Sequence, residues 1–403
     1  MRKEFKWNRK EYTMELHGGY RHKASKEIGF PVEQWLDFSA NINPFGMPKG
    51  IKNAMLQGIE ELVHYPDPDC LQLTKALAQW EGVEEERIFC GNGGADVLYR
   101  YLTALSPNKV CLPVPTFVEY EEVLKNHWNH QYEVTFFRKK AQETLAKKVD
   151  RIRPELVLYP MECVEQKENG QVVWKENHLV LTEEFLQCLD DTYDLLILCS
   201  PNNPTGKMIS WELLENMIEK TREYQIKVLL DLSFLDFVGK QENELVKQLK
   251  KERHVTILRS FTKMYGIPGI RLGYGILDQT ITKDMLQQKG PSWSVNHLAQ
   301  KAGMAALLEE EFVKKTVAYI KKESAFLIEQ LESLGFLVLC GEANYILFQK
   351  QGDDTLHERV KQRGILIRSC QNYRGLTKDY YRIGIKTREE NEKLLQVFRE
   401  EVK

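Results

Sequence analysis

One lysine in the sequence lies where a predicted strand ends and a constrained turn begins. The stretch SFTKMYGIPGIRLGY spans residues 260–274, and Lys263 follows the apolar run VTILRSF at 255–261. Ser260 and Arg271 flank this lysine and could bind one phosphate together, because a guanidinium presents a planar fork of donors. A partly desolvated lysine beside a cation keeps its amine available for imine formation with an aldehyde. The alternative is an ordinary surface lysine.

Three further groups of polar or glycine residues follow apolar runs. Asp231 lies in the run KVLLDL at 227–232, where a carboxylate is costly unless it is paired. It either caps the next turn or faces a cationic ring nitrogen. Asn203 lies in the segment SPNNPTG and is either a turn former or a ligand donor. Gly93 and Gly94 separate the run RIFCG from a predicted helix, so their loop is either a plain tight turn or an anion seat.

The predicted secondary structure explains how these residues could meet. Short apolar runs alternate with amphipathic stretches, which indicates a parallel sheet covered by helices on both faces. Ligands collect at the carboxyl ends of the strands in such a sheet, so Asp231 and Lys263 can converge there. The predicted strands lie at 87–91, 109–113, 195–199, 227–232 and 255–261, and the predicted helices at 95–105, 211–224 and 244–254.

The last third of the chain has a different pattern. A long helical stretch at 297–335 leads into four short apolar runs, which predicts a smaller α+β unit. These runs lie at 336–340, 344–349, 364–370 and 380–387. The predicted domains are an N-terminal arm and small-domain segment at 1–45, a large domain at 46–295 and a small domain at 296–403. The charged region 138–190 is predicted to be an insertion with its own hairpin.

The composition excludes several classes of protein. The 403 residues are 42% hydrophobic and 28% charged with a net charge of −2, which is typical of a soluble globular protein and gives no overall attraction to nucleic acid or anionic membranes. We find neither an uninterrupted apolar run of about 18 residues nor the apolar segment of a secretion signal. The eight cysteines form no CxxC pair and no histidine cluster accompanies them. We therefore expect free thiols, a cytoplasmic location and no metal site.

A phosphate seat, a carboxylate, an asparagine and a lysine together fit one cofactor, pyridoxal 5′-phosphate. The motifs SFTKMYGIPGIRLGY and SPNNPTG and the strand that carries Asp231 resemble the fold-type I enzymes of the aminotransferase class I/II superfamily, over roughly residues 15–400. The resemblance implies an α/β fold with a mostly parallel, seven-stranded sheet between helices in the large, cofactor-binding domain, and a smaller α+β domain.

The resemblance also implies a role for each cofactor residue. Lys263 would bind the aldehyde covalently, and Asp231 would pair with the ring nitrogen. Asn203 would donate to the phenolic oxygen, and Phe117 would stack on the ring. Tyr65 would reach the cofactor phosphate of a neighbouring subunit, which implies a homodimer. The residues that would hold the phosphate in the same chain are Ser260, Arg271 and the backbone amides of Gly93, Gly94 and Ala95.

Two branches of the superfamily compete for the activity. The segments at 16–25, 36–48 and 368–376 resemble the threonine-phosphate decarboxylases of cobalamin biosynthesis more than the histidinol-phosphate aminotransferases. Phe234 replaces the tyrosine common in the superfamily, and it cannot donate a hydroxyl to the cofactor ring oxygen. This departure favours the decarboxylase branch.

The branch assignment implies a small phosphorylated substrate. The implied reaction is decarboxylation of O-phospho-L-threonine to (R)-1-amino-2-propanol O-2-phosphate, with O-phospho-L-serine decarboxylation or histidinol-phosphate transamination as alternatives. Arg382 would bind the substrate carboxylate. The residues implied at the far end, near the substrate phosphate, are His17, Asn41, Asn43 and Arg368.

Overall fold

The fold is taken from a computed structural model of the chain. It describes residues 17–137, 153–163, 167–168, 171–172, 179–239, 247–287 and 291–401. Residues 1–16 of the predicted N-terminal segment therefore lie outside the described residues.

An eight-stranded sheet lies at the centre of the larger part of the molecule. Seven strands run parallel and one, Gly273–Ile276, runs antiparallel to its neighbours Ile88–Gly91 and Val255–Ser260. The strand order is Ile88–Gly91, Gly273–Ile276, Val255–Ser260, Lys227–Asp231, Leu195–Cys199, Lys109–Val114, Glu155–Pro160 and Glu133–Phe136. All five predicted strands are present in this mostly parallel sheet, which confirms the predicted class.

The sheet differs from the prediction at one edge. It has eight strands instead of seven, because Glu133–Phe136, exposed along its whole length, pairs with Glu155–Pro160. The second of these strands lies inside the region 138–190, which we predicted to be an insertion. Its buried residues 156–159 belong to the core, so part of that region is sheet. A short antiparallel pair, Lys167–Glu168 with Gln171–Val172, forms the predicted hairpin.

Helices pack around the sheets, and several bury an apolar stripe. Trp211–Glu223 begins after Ser210, whose hydroxyl accepts from the Leu213 amide, and it buries Leu214 and Ile218 one turn apart. The helix predicted at 244–254 lies partly outside the described residues. The described helices are Arg21–Ile28, Lys49–Gln57, Leu71–Glu81, Gly94–Leu105, Glu119–His127, Trp211–Glu223, Gln279–Gln287, His297–Ala306, Glu310–Ser333, Leu356–Lys361 and Arg388–Glu401.

The long helix predicted at 297–335 is two helices, His297–Ala306 and Glu310–Ser333. The amides of Leu308 and Glu309 bond to carbonyls three residues back, which tightens the last turn and ends the first helix. The first helix buries small residues and contacts Lys49–Gln57, whereas the second carries leucines and isoleucine into the core. Two different packing surfaces therefore break a continuous helical pattern.

A four-stranded antiparallel sheet forms the centre of the smaller part. Its order is Leu337–Leu339, Tyr345–Gln349, Tyr380–Gly384 and Arg368–Ser369. Leu36–Asp37 pairs in parallel with Ile365–Leu366, which attaches the N-terminal segment to this part of the chain. The domain boundaries at 45 and 295 stay a prediction.

The described residues contain seven free cysteines, at positions 70, 90, 111, 188, 199, 340 and 370. Within the same residues we find no helix with the length and apolar character needed to cross a membrane. Those residues also hold no group of three or more histidine, cysteine or acidic side chains placed to bind a metal ion.

Candidate active site

Lys263 directs its amine into a cavity of about 380 Å³ at the carboxyl end of the central strands. Its Nζ donates to Ser260 Oγ at 3.2 Å and lies 5.7 Å from the centroid of the Phe234 ring. Burial lowers the pKa of Lys263 to about 8, the nearby Asp231 carboxylate opposes this change, and Arg271 adds to it. The amine is therefore readily deprotonated near neutral pH, as covalent bonding to an aldehyde requires.

This lowered pKa predicts how cofactor-free protein takes up pyridoxal 5′-phosphate. Only the neutral amine reacts, so the rate of covalent uptake should rise about tenfold per pH unit below the pKa and level off above about pH 8. Stopped-flow absorbance from pH 6 to 10 measures this. A rate still rising between pH 9 and 10 would show an ordinary lysine pKa of about 10.5.

Asp231 lies at the end of its strand beside the cavity and is 6% exposed. Its Oδ1 accepts from the Ser233 amide at 2.8 Å, and its Oδ2 accepts from the Tyr120 hydroxyl at 2.6 Å. Burial, with the carboxylate nearby, raises the pKa of Tyr120 well above its usual range, so this hydroxyl remains a donor. Sequence reasoning missed Tyr120, although it lies three residues after Phe117 in the VPTFVEY segment.

An aromatic ring covers one side of the cavity. Phe117 lines it and packs edge-on against Tyr120, with ring centroids 5.7 Å apart. His17 packs on Phe117 with ring centroids 5.8 Å apart, and its Nε2 lies 3.0 Å from Glu119 Oε2. Glu119 is a second residue that the sequence analysis did not single out. The structure thus brings Phe117 and His17 to the same cavity as Lys263.

The glycine loop and Arg271 lie together at the cavity and could bind an anion. Gly93 has φ +84°, and a Cβ there would lie 2.5 Å from Arg271 Nη2. Gly94 and Ala95 line the cavity at the start of their helix, where first-turn amides have no intrahelical acceptor. Arg271 itself has φ +60°, a conformation uncommon for arginine. The backbone therefore accepts a sparsely populated conformation where loop and guanidinium meet.

Gly93→Ala should weaken binding of the cofactor phosphate. The new methyl group must displace the Arg271 guanidinium, and φ +84° strains any residue with a Cβ. Loss of one charge-assisted contact corresponds to a dissociation constant roughly 10- to 100-fold higher, measurable by titration of the cofactor-free protein. Gly269→Ala is the matched control, since a Cβ there meets nothing within 4 Å. Equal cofactor affinity in both variants would contradict the assignment of this seat.

Asn203 and Arg382 meet at the inner wall of the site. Asn203 lines the cavity, and its Oδ1 accepts from Arg382 Nη1 and from the Tyr373 hydroxyl, the latter at 3.2 Å. Because a guanidinium can only donate, the atom it contacts is the amide oxygen, and Asn203 Nδ2 is left as the donor. Arg382 Nη2 donates to the Ser39 carbonyl at 3.0 Å, while its buried Nε has no hydrogen-bond partner.

Arg368 and Arg382 are direct neighbours on antiparallel strands, and each is 5% exposed. Directly opposed residues project from the same face of a sheet, so two cations lie side by side. Arg368 opens on an adjacent cavity of about 260 Å³, which His17 also lines. The hydrogen-bond partners of Arg382 within the described residues are neutral, and no carboxylate pairs with it there. A buried cation without a counter-ion is costly and favours binding of an anion.

The structure gives the two asparagines of the N-terminal segment different surroundings. Asn41 is 6% exposed, and its buried Oδ1 has no hydrogen-bond partner. Asn43 Nδ2 donates to the Met264 carbonyl at 2.7 Å and to Thr316 Oγ1 at 2.9 Å, and its Oδ1 accepts from the Phe45 amide. Asn43 therefore stabilises the segment that carries Lys263. It does not line the cavity at the substrate end, where we expected it.

Tyr65 lies away from this chain's own cavity. It is 78% exposed and stacks on Trp293 with ring centroids 4.4 Å apart. Its predicted contact belongs to a second subunit, so its role stays a prediction.

The residues around the cavity fit pyridoxal 5′-phosphate. An amine with a lowered pKa, a carboxylate, an amide donor and an anion seat that a Cβ would fill correspond to the aldehyde, ring nitrogen, phenolic oxygen and phosphate. These are the groups through which a protein binds and tunes this cofactor.

The aminotransferase class I and II family model matches residues 33–398, and the chain belongs to this family of pyridoxal-phosphate-dependent enzymes. The chain is 33% identical to the threonine-phosphate decarboxylase of Salmonella typhimurium over 385 residues, 95% of each protein. It is 26% identical to the histidinol-phosphate aminotransferase of Methanosphaera stadtmanae, over 97% of this chain and 96% of that one. The crystal structure of histidinol-phosphate aminotransferase from Clostridium acetobutylicum superposes with a TM-score of 0.76 at 26% identity, covering 91% of this chain and 99% of that one.

Proposed function

We propose that the protein decarboxylates O-phospho-L-threonine to (R)-1-amino-2-propanol O-2-phosphate, the reaction implied for cobalamin biosynthesis. The observation that carries the proposal is the pair of buried arginines at 368 and 382, directly opposed on neighbouring strands. A phosphorylated amino acid brings two separate anionic groups, and each could bind one arginine. The 33% identity to a threonine-phosphate decarboxylase over 95% of both proteins supports the same substrate class.

The bound cofactor supplies an electron sink for the pair left when a bond at the substrate α-carbon breaks. Arg382 would bind the carboxylate, with its unpartnered Nε as the remaining donor. His17, Asn41 and Arg368 would hold the phosphate end, and fixing both ends would orient the α-carbon. Lys263 Nζ would hold the proton that the α-carbon needs after CO₂ leaves. A pKa of about 8 suits this transfer near neutral pH.

The alternative is an aminotransferase acting on histidinol phosphate, which the likeness to the Clostridium acetobutylicum enzyme favours. Such an enzyme would keep the same anion seats but break the α-carbon–hydrogen bond. A decarboxylase that prefers O-phospho-L-serine is a variant of the first proposal, since one methyl group is worth only about 1–3 kcal/mol of discrimination.

The deciding experiment incubates the holoenzyme with O-phospho-L-threonine, O-phospho-L-serine and histidinol phosphate, each with and without 2-oxoglutarate. We expect stoichiometric CO₂ release from a phospho-amino acid without the keto acid, and mass analysis identifies the product. Turnover that requires 2-oxoglutarate and releases no CO₂ would overturn the decarboxylase assignment in favour of the aminotransferase. Cofactor amination without turnover is a second outcome that contradicts it.

We also propose that the chain forms a homodimer through the surface around Tyr65, which would place this residue at the neighbouring cofactor phosphate. The surface carries Leu56, Ile59, Leu62 and Val63 at 55, 47, 49 and 82% exposure. Contiguous exposed apolar side chains are typical of an interface. The prediction of a cytoplasmic location is untested.

Val63→Asp should dissociate this dimer, because a charge would be buried in an apolar contact. Analytical ultracentrifugation should give twice the chain mass for the wild type and a lower mass for the variant. Leu286→Asp is the matched control, as Leu286 is 59% exposed on a different helix. A wild-type monomer would refute the dimer.

A further inference from the structure

Tyr373 lies where the cofactor side and the substrate side of the site meet. It is 4% exposed and follows the short strand Arg368–Ser369 in a loop closed by its own amide, which donates to the Cys370 carbonyl at 3.0 Å. Neither the aldehyde-binding lysine nor the phosphate seat contacts it. Its hydroxyl and its ring nevertheless reach three residues that we assign to the site.

The hydroxyl of Tyr373 joins an amide and a guanidinium. It donates to Asn203 Oδ1 at 3.2 Å and accepts from Arg382 Nη1 at 3.4 Å. Arg382 Nη1 also donates to the same amide oxygen, so the three groups form a closed triangle. Such a triangle fixes the Asn203 amide with Nδ2 free to donate to the cofactor, and it fixes Arg382 with Nε as the unpartnered donor.

The ring of Tyr373 packs against the second cation. The Arg368 guanidinium carbon lies 5.7 Å from the ring centroid, a distance at which a cation is attracted to the aromatic face. One buried side chain therefore contacts both arginines that we propose for the two anionic ends of the substrate. The direct opposition of these arginines would otherwise be repulsive.

Because Phe234 cannot donate a hydroxyl to the cofactor ring oxygen, the contact of Tyr373 with Asn203 becomes more important. The Phe234 ring lines the cavity near Lys263 and packs edge-on against Tyr345 at 5.0 Å, but it offers no hydroxyl. The hydroxyl of Tyr373 acts one step further from the cofactor, through the oxygen of Asn203.

We propose that Tyr373 is a positioning residue for reaction specificity, which rests on the proposed function. By holding Asn203, Arg382 and Arg368 in one arrangement, it sets the angle between the cofactor-side amide and the substrate carboxylate. That angle decides which bond at the α-carbon is presented for cleavage.

Tyr373→Phe removes only the hydroxyl and keeps the ring on Arg368. We expect the ratio of CO₂ released to cofactor aminated to fall about five- to tenfold, the equivalent of one hydrogen bond. The bound cofactor alone gives a second readout. The pKa obtained by titrating the absorbance of the bound cofactor with pH should rise by about half a unit. The reason is that a less firmly held Asn203 stabilises the ionised phenolic oxygen less well.

Tyr381→Phe is the matched control. Tyr381 is a buried tyrosine of the strand Tyr380–Gly384, and its hydroxyl donates to the Asp353 carbonyl at 2.7 Å. Its side chain faces away from that of its neighbour Arg382, because successive residues of a strand point to opposite sides. We expect a similar small loss of melting temperature in both variants. Only Tyr373→Phe should change the ratio of CO₂ released to cofactor aminated and the pKa of the bound cofactor. Identical behaviour of the two variants would overturn the proposal.

A double-mutant cycle with Asn203→Ala tests whether Tyr373 acts on the cofactor through Asn203. If Tyr373 acts through Asn203, the titration shift of Tyr373→Phe should vanish in the Asn203→Ala background. An undiminished shift there would overturn the proposal. Should the wild type release no CO₂ from any phospho-amino acid, the proposed function fails, whereas the titration needs no substrate and still tests Tyr373.

Discussion

Replacement of Lys263 by alanine should abolish covalent cofactor binding and lower activity by roughly 10²–10⁴-fold or more. We propose that the amine both bonds to the aldehyde and donates the proton, and general acid–base catalysis alone is worth about that factor. Because burial lowers the pKa of Lys263, removing its side chain takes away a poorly solvated amine. We therefore expect the cofactor-free variant to melt at or above the wild-type temperature.

Borohydride reduction followed by mass spectrometry of peptides measures the covalent bond. The wild type should carry the cofactor mass on the peptide that contains residue 263, and Lys263→Ala should carry none. Lys393→Ala, which removes an exposed lysine from the last helix, should behave as wild type. Cofactor trapped on another lysine of the Lys263→Ala protein would contradict the assignment.

Asp231→Asn should lower the turnover number by about 10²–10³-fold while leaving the fold intact. The amide can still accept from the Ser233 amide and donate to the Tyr120 oxygen, so both local contacts survive. The negative charge that would balance the protonated ring nitrogen is lost, and preorganised charge of this kind is typically worth that factor. Steady-state kinetics with saturating cofactor measures the effect.

Cofactor affinity in Asp231→Asn should also fall, by roughly 10- to 100-fold, because a hydrogen bond to a charged group is replaced by a neutral one. Asp191→Asn, on an exposed turn, is the control for the change of charge. A turnover number within threefold of wild type would contradict the pairing of Asp231 with the ring nitrogen.

The convergence of Lys263, Asp231 and Asn203 followed from the sequence because each lies just after or at the end of a strand of a parallel sheet. Parallel topology brings such ends to one edge whatever the details of packing. The partners Tyr120, Glu119 and Tyr373 did not follow. Their contacts depend on the rotamer and burial of individual side chains, which the hydrophobic periodicity of the sequence does not predict.

Other differences have equally local causes. The helix break at 307–309 interrupts the sequence ALLEEE, which contains no glycine or proline to end a helix, and tertiary packing decides it. The strand Glu155–Pro160 was obscured by the charged residues around a short apolar centre. The sequence placed Asn43 at the substrate end, whereas its side chain bonds to the Met264 carbonyl in the lysine loop and to Thr316.

Backbone hydrogen bonds join the N-terminal segment to residues far along the chain, and this has a consequence during synthesis. The Asn43 amide bonds to the Lys263 carbonyl at 3.1 Å, and the Gly384 amide bonds to the Phe38 carbonyl at 2.7 Å. A ribosome that adds about 5–20 residues per second needs roughly 20–70 s to synthesise the chain from Phe38 to Gly384. During that interval the strand Tyr380–Gly384 is not yet made, so Arg382 can reach Asn203 only after this strand has left the exit tunnel.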